Sequence, residues 1–396
     1  MRRLLIFFAS LYKAVKRFSQ KLRGATPLTD ADRRIVSGQT WDDFCDTLKA
    51  AGANIMAHNN QDSRTMAEGY RYLSRLARGG LEAFVEYADP LAPVLRCMVH
   101  ETVKMGADNP DNYYQNAVIS GRYEYRITGN RGSVHFLTFS TQKGGYGQGG
   151  DLPPSGFLDS KSLITGPDGE LEIILSTKQH EGNWLKMDED SGMVMVRQTF
   201  LDSKTEKRAE LKIERIGGDG LPLTVTGKSI DDGLMSASNL VAGASLLFSK
   251  WTSDFMKHTN RLPLFDEKKS TKAGGDPNIA YYHSYWKIEE NEVMVITATP
   301  PPCEHWNFQL NNHWMESLDY RYYPIHINKH TAKINSDGTV TVVVSHVNPG
   351  VENWLSTTGH TRGTMCWRWI RSDSRPEPSV EIVPLTALKK GALQND

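Results

Sequence analysis

From Asn109-Pro110 onward the chain is written mostly in short runs that alternate with period two, and this pattern restricts the fold more than any other feature. Arg122 to Ile127 alternates, Gly129-Asn130-Arg131-Gly132 supplies a turn, and Ser133 to Thr141 alternates again, which predicts a hairpin. Further strand-like runs cover Glu170 to Ser176, Met193 to Phe200 and Ala209 to Ile216. A later set covers Glu292 to Thr299, Trp306 to Leu310, Tyr323 to Asn328, Thr339 to His346, Thr364 to Ile370 and Val380 to Val383. Many short strands broken by Gly and Pro turns predict a β-sandwich rather than βαβ units. No internal repeat is legible beyond one triplet. Asn183-Trp184-Leu185 recurs at Asn353-Trp354-Leu355, marking either two related sandwich edges or a coincidence.

Helical spacing frames these runs. Thr40 with Asp43 resembles a capping box before Phe44 and Leu48, with Gly52 as a stop. A second helix is predicted from Asp62 or Ser63 through Met66, Tyr70, Leu73 and Leu76, and a third from Val94 to Met105. Between the two β-blocks, Leu234, Ala237, Leu240, Val241, Ala244, Leu247, Trp251 and Phe255 repeat at helical period. The predicted plan is a basic helix (1–25), a helical region (40–107), a first β-block (110–227), a long helix (228–262) and a second β-block (277–385). The fold class is α+β: a helical N-terminal region followed by a jelly-roll-like antiparallel β-sandwich with an inserted long helix.

The first 25 residues carry Leu4, Phe7, Phe8, Leu11, Val15, Phe18 and Leu22 on a helical stripe, and their charge is all basic. Three uses fit: packing on the protein itself or a sister subunit, lying in a membrane interface through residues 1–24, or directing export. Lys plus Arg and Asp plus Glu both number 46, so no overall field favours nucleic acid. The four cysteines lie far apart, with no spacing for a zinc site or a disulfide framework. A cytoplasmic or membrane-peripheral setting is the expectation, with homo-oligomerisation left open.

Familiar motifs fail on inspection. Gly144-Gly145-Tyr146-Gly147-Gln148-Gly149-Gly150 follows a strand as a phosphate loop should, but runs into Asp151-Leu152-Pro153-Pro154 rather than a helix, which favours a loop or lid. Gly227-Lys228-Ser229 ends like a Walker motif but has Pro222 where the first glycine belongs. His326 and His330, four apart on a strand, are separated by about 13 Å, too far to share a metal. No cofactor and no metal is expected.

The signal that remains is a density of imidazoles and polar-tipped aromatics between residues 305 and 360. Such groups suit the wall of a ligand pocket. His313 and Glu316 would share one face of a helical turn, and an imidazole–carboxylate pair can tune a proton donor or acceptor, or simply tie a loop down. Trp314, Tyr320, His346, Trp354 and His360 are the candidate ligand contacts. Arg362 either clamps an anionic group or pins its own loop through Glu352.

The stretch from Trp306 to Tyr320, with Gly182-Asn183-Trp184-Leu185, the strand from Val194 to Phe200 and the segment from His346 to Gly363, resembles an uncharacterised bacterial family, domain of unknown function 1214. The resemblance spans roughly residues 110 to 385. It implies a helical or mixed N-terminal part joined to a jelly-roll-like sandwich, and assigns no catalytic residue. The expected function is binding, with or without transformation, of a hydrophobic or aromatic small molecule, whether anionic or not, by metal-independent acid–base chemistry at His313 and Glu316. The alternatives are a non-catalytic lipid or carbohydrate module, an oligomeric structural sandwich, or a metal site built by histidines on neighbouring strands.

Overall fold

A computed structural model describes residues 28–57, 62–145 and 152–391; the predicted helix at 1–25 and most of the Gly144–Gly150 loop lie outside them. Three helices come first: α1 (Asp30–Ser37), α2 (Gln39–Ala57) and α3 (Ser63–Leu81). The capping box belongs to α1, where Thr29 and Asp32 satisfy each other's backbone N–H groups. Thr40 instead sits buried within α2 and bonds Asp231, and α2 runs through Gly52 to Ala57. Asp62 caps α3 by accepting from the N–H groups of Arg64 and Thr65.

The third predicted helix does not form. Val94 to Met105 is irregular: Arg96 exchanges both backbone bonds with Asn116, and His100 and Val103 close a tight reciprocal turn. Asp89-Pro90 and Ala92-Pro93 bias the chain away from αR just ahead of this segment, and the edge of the following strand offers its backbone groups a better outlet.

Among the described residues, sixteen strands then form four four-stranded sheets. The first block contains β1 (Asn112–Val118), β2 (Tyr125–Asn130), β3 (Phe136–Lys143), β4 (Pro154–Asp159), β5 (Glu170–Ser176), β6 (Trp184–Lys186), β7 (Ser191–Thr199) and β8 (Glu210–Arg215). Helix α4 (Gly227–Phe255) and the short α5 (Glu267–Lys272) connect it to the second block. That block contains β9 (Ile279–Lys287), β10 (Glu292–Ala298), β11 (Cys303–Leu310), β12 (His326–Asn328), β13 (Val340–Ser345), β14 (Trp354–Ser356), β15 (Arg362–Ser372) and β16 (Ser379–Pro384). Helix α6 (Leu385–Gly391) follows.

The two blocks are one topology used twice. In the first, the sheets run β1-β7-β3-β4 and β6-β5-β2-β8; in the second, β9-β15-β11-β12 and β14-β13-β10-β16. Strand for strand these orders coincide, including a parallel pair, β5 with β6 and β13 with β14, in otherwise antiparallel sheets. An internal repeat is therefore present although the sequence shows only its trace. The triplet echo is structural: Ile174 opposes Trp184 as Val343 opposes Trp354. The Asn183 side chain donates to the carbonyls of Ile164 and Glu172 and accepts from the N–H of Ile164. Asn353 does the same with Lys333 and Thr341.

The predicted hairpin is also corrected. β2 pairs with β5 and β8, whereas β3 pairs with β7 and β4, so the Gly129–Gly132 connection crosses between the two sheets of one sandwich. The backbone donors explain it. Arg131 donates to Gly169, while Ser133 and Val134 both donate to Lys207, which leaves none to zip a hairpin.

Each sandwich has its own apolar core, Tyr125, Ile127, Phe139, Ile173 and Val196 in the first and Trp286, Trp306, Phe308, Trp367 and Trp369 in the second. Helix α4 buries Leu234, Ala237, Leu240, Val241 and Ala244 against α2, α3 and Trp314. Gly80 lies against Ala237 of α4 with little room for a Cβ. No helix among the described residues is long and apolar enough to cross a membrane.

The two asparagines should matter in proportion to burial. Asn353→Ala removes three hydrogen bonds at a buried site and is expected to cost about 2 kcal/mol; Asn183→Ala, partly exposed, about 1 kcal/mol. Urea unfolding of both variants measures the difference.

Candidate functional site

The repeat places one tyrosine–arginine pair in each block. Tyr114 of β1 opposes Arg197 of β7, and Tyr281 of β9 opposes Arg368 of β15, in the same register. Both tyrosines are fixed by the loop that leads into their strand: the N–H of Asn109 donates to Tyr114 Oη at 3.2 Å, and that of Asp276 to Tyr281 Oη at 3.3 Å. Each of those loops begins with an Asx-Pro step, Asn109-Pro110 and Asp276-Pro277.

The arginines then reach across. Arg368 Nη2 donates to the Ala107 carbonyl at 2.6 Å, and Arg197 Nη2 donates to the Gly274 carbonyl at 2.6 Å. Ala107 and Gly274 occupy equivalent places ahead of the two strands, and both have positive φ, 58° and 86°. A reciprocal contact between equivalent residues defines a pseudo-two-fold relation between the sandwiches.

A pocket of about 150 Å3 opens at this junction. Tyr114, Arg197, Tyr281 and Arg368 line it from the two sandwiches, with Phe248 and Trp251 of α4 forming an aromatic side. His283, 6% exposed, also lines it and stacks on Tyr281 at 5.7 Å between centroids. Its Nε2 lies 3.9 Å from Cys366 Sγ, while its Nδ1 is buried without a hydrogen-bond partner. Burial, with Arg368 adding to it, pushes the His283 imidazole down to about 3, and burial pushes the Cys366 thiol up to about 11. The thiol is therefore not a thiolate at pH 7, and the imidazole, although unprotonated there, is too weak a base to suit proton abstraction at that pH.

Arg368 is the unusual member. It is 4% exposed, its Nη1 donates to Asn307 and Gln309, and it has no ion pair with a carboxylate among the described residues. Asp108 lines the same pocket, but its carboxylate already accepts from the N–H and Oγ of Ser317. A buried guanidinium held only by neutral groups retains the charge that a bound anion would neutralise.

Beside the pocket, Asp111 stitches the blocks together. Its carboxylate accepts from Asn307 Nδ2 at 2.8 Å and Asn328 Nδ2 at 2.9 Å, with His326 and His305 at 3.2 and 3.4 Å. Burial opposes ionisation, but the hydrogen bonds from His305 and His326 prevail and hold this carboxyl far below the usual range.

None of the eight residues expected from the sequence lines the pocket. Asn312 to Glu316 forms a closed turn instead of a helical one, with Asn312 Oδ1 accepting from the N–H groups of Trp314 and Glu316, and Met315 at φ 57°. Glu316 turns to Arg75 of α3, at 2.6 Å, and to Asn312, rather than to His313. His313 Nδ1 lies 3.0 Å from Tyr285 Oη, and Trp314 enters the helical core, donating to the Thr65 carbonyl.

His360 meets Glu68 at 3.0 Å and Arg362 lies 3.9 Å from Asp62, so with Trp314 at Thr65 three of the eight gather where α3 begins against the second sandwich. His346 joins them through Thr357, 2.9 Å from its Nδ1. Trp354 donates to Ser345 Oγ at the sheet edge. Tyr320 lies apart, under the Lys104 ammonium and edge-on to His326. The arginines and tyrosines of the pocket were overlooked, and one signal marks them: an Asx-Pro step before each tyrosine and a glycine five residues before each arginine, Gly192 and Gly363.

Fold and pocket define a twin-sandwich protein whose two halves share one basic cleft. The chain belongs to the family described as protein of unknown function (DUF1214), whose model matches residues 289–373, most of the second sandwich. A crystal structure of an uncharacterized protein from Burkholderia cenocepacia is 49% identical, with a TM-score of 0.87, covering 90% of this chain and 99% of that one. A Vibrio parahaemolyticus protein of known structure is 11% identical with a TM-score of 0.48, over 79% of this chain and 98% of that one. No curated protein matches the chain.

Asp111 makes stability acid-sensitive. A carboxyl whose folded pKa is depressed contributes stability above its unfolded value, and loses it as pH falls toward the folded one. Native stability should therefore start to fall below about pH 5. Asp111→Asn is expected to cost about 3 kcal/mol at pH 7 and to show a flatter decline between pH 5 and 3, read by urea unfolding across pH.

Proposed function

We propose that the pocket between the sandwiches binds a small organic carboxylate with an apolar or aromatic body. The observation that supports it is Arg368, a buried cation lining a cavity and bound only to neutral groups among the described residues. Arginine matches a carboxylate in shape and charge, and such a contact is strongest where water is excluded. The remainder of the wall suits the body of the ligand: Phe248 and Trp251 offer faces, and His283 Nδ1 offers one polar contact.

Size narrows the choice. A cavity of about 150 Å3 is large enough to take a single benzene ring. The reading is a binding one, since burial holds the imidazole in the pocket and the thiol beside it away from the values that acid–base work at pH 7 needs.

Benzoate is the probe. Titration calorimetry of the folded protein should show binding that Arg368→Gln weakens by at least tenfold, and Trp251→Ala, which keeps both arginines, should weaken it as well. Benzoate binding that neither change alters places the ligand elsewhere and removes the reading.

A further inference from the structure

The pocket holds two guanidinium groups, and they are equivalent. Each stands beside a tyrosine on the neighbouring strand, Arg197 with Tyr114 and Arg368 with Tyr281. Each commits one Nη2 to the carbonyl of the opposite sandwich, at 2.6 Å in both cases. That mutual hold fixes both groups relative to the pseudo-two-fold axis, so their placement is set before any ligand arrives.

Their remaining donors differ in use but not in sign. A guanidinium carries five N–H donors. Arg368 directs its Nη1 to Asn307 and Gln309, whereas Arg197 has one protein hydrogen bond among the described residues, the one to Gly274. Neither forms an ion pair with a described carboxylate. Two like charges sharing one small cleft repel; Asp108 of the lining is bonded to Ser317 and Asp111 acts on Arg368 without touching it, so a single monoanion at Arg368 leaves Arg197 with no anion in direct contact.

We propose that the natural ligand is a short dicarboxylate that spans the pseudo-two-fold axis, one carboxylate on Arg197 and the other on Arg368. The proposal rests on the carboxylate-binding reading above and narrows it to a class. A ligand with two equal ends complements a pair of equal donors related by two-fold symmetry, as an isologous contact does between subunits. The volume of about 150 Å3 confines the linker to a few carbons or one ring. Tyr114 and Tyr281 flank the two ends, and the apolar side made by Phe248 and Trp251 faces the linker.

Calorimetry with malonate, succinate, glutarate and adipate, each compared with butyrate, tests this on the intact protein. At least one diacid should bind tenfold or more tightly than butyrate. In Arg197→Gln, whose side chain is only partly buried, that ratio should fall to below threefold. Arg368→Gln should collapse it in the same way. A ratio below threefold in the native protein, or one that survives Arg197→Gln, overturns the dicarboxylate assignment. Butyrate or benzoate binding that depends on Arg368 but shows no diacid preference sinks this inference alone. Failure of every carboxylate to bind sinks the carboxylate reading together with it.

Discussion

Two hydrogen bonds hold the plan of this molecule: Arg197 to Gly274 and Arg368 to Ala107, each reaching from one sandwich to the lead-in loop of the other. Both strands that carry these arginines lie at the interior of their sheets, β7 between β1 and β3 and β15 between β9 and β11. The donors are therefore rigidly placed, and the loops must come to them. The loops do so at a backbone cost, since Ala107 takes φ 58° where its counterpart is a glycine. Ala107 is held there from its other side as well, by its own N–H to the Met315 carbonyl at 2.7 Å.

That clasp explains why so many polar side chains are buried on the facing sheets. Asn307, Gln309 and Asn328 would each cost free energy if left unpaired in the interior. They are paired across the seam: Asn307 with Asn109 and Asp111, Gln309 with the Asp108 carbonyl, Asn328 with Asp111 and the Leu201 carbonyl. The seam is polar because equivalent faces meet with their amides and charges interleaved. A hydrophobic seam would hold the halves together too, but would leave no reason for a basic cleft on the axis.

Strand composition was legible because alternation is a local property. Glu170 to Ser176 matches β5 residue for residue, and the long helix expected over 228–262 forms over Gly227–Phe255, starting one residue earlier and ending seven sooner. What alternation does not encode is which strands pair. Gly129 to Gly132 has the composition of a hairpin turn, yet the partners of β2 and β3 lie far along the chain, and only the tertiary outlets at Gly169 and Lys207 decide. The pocket was hidden for a similar reason. Arg197 and Arg368 each look like one charge in an apolar strand, and their meaning emerges when the two blocks are superposed strand for strand. The aromatic and histidine-rich stretch around His313 is locally conspicuous. Its bonds to Thr65 and Arg75 join α3 to the second sandwich, and its bond to Tyr285 ties it to β9 of that sandwich, instead of facing the cleft.

Departures from the repeat are as informative as its agreements. Where the first sandwich has Asn116 and Met195, the second has His283 and Cys366, and all but Cys366 line the cleft. Where the first has Asp111, the second has Asn278, so the buried carboxylate that binds His305 and His326 has no counterpart on the other side of the axis. Charge is thus distributed unevenly around a pair of arginines placed evenly. Arg368 sits deeper, behind amides and beside a neutral imidazole, while Arg197 remains partly open. An arrangement that keeps the two cations equivalent while varying their surroundings suits a ligand whose ends carry the same charge but meet different neighbours. Such a cleft would fix which way round the ligand lies as well as whether it binds.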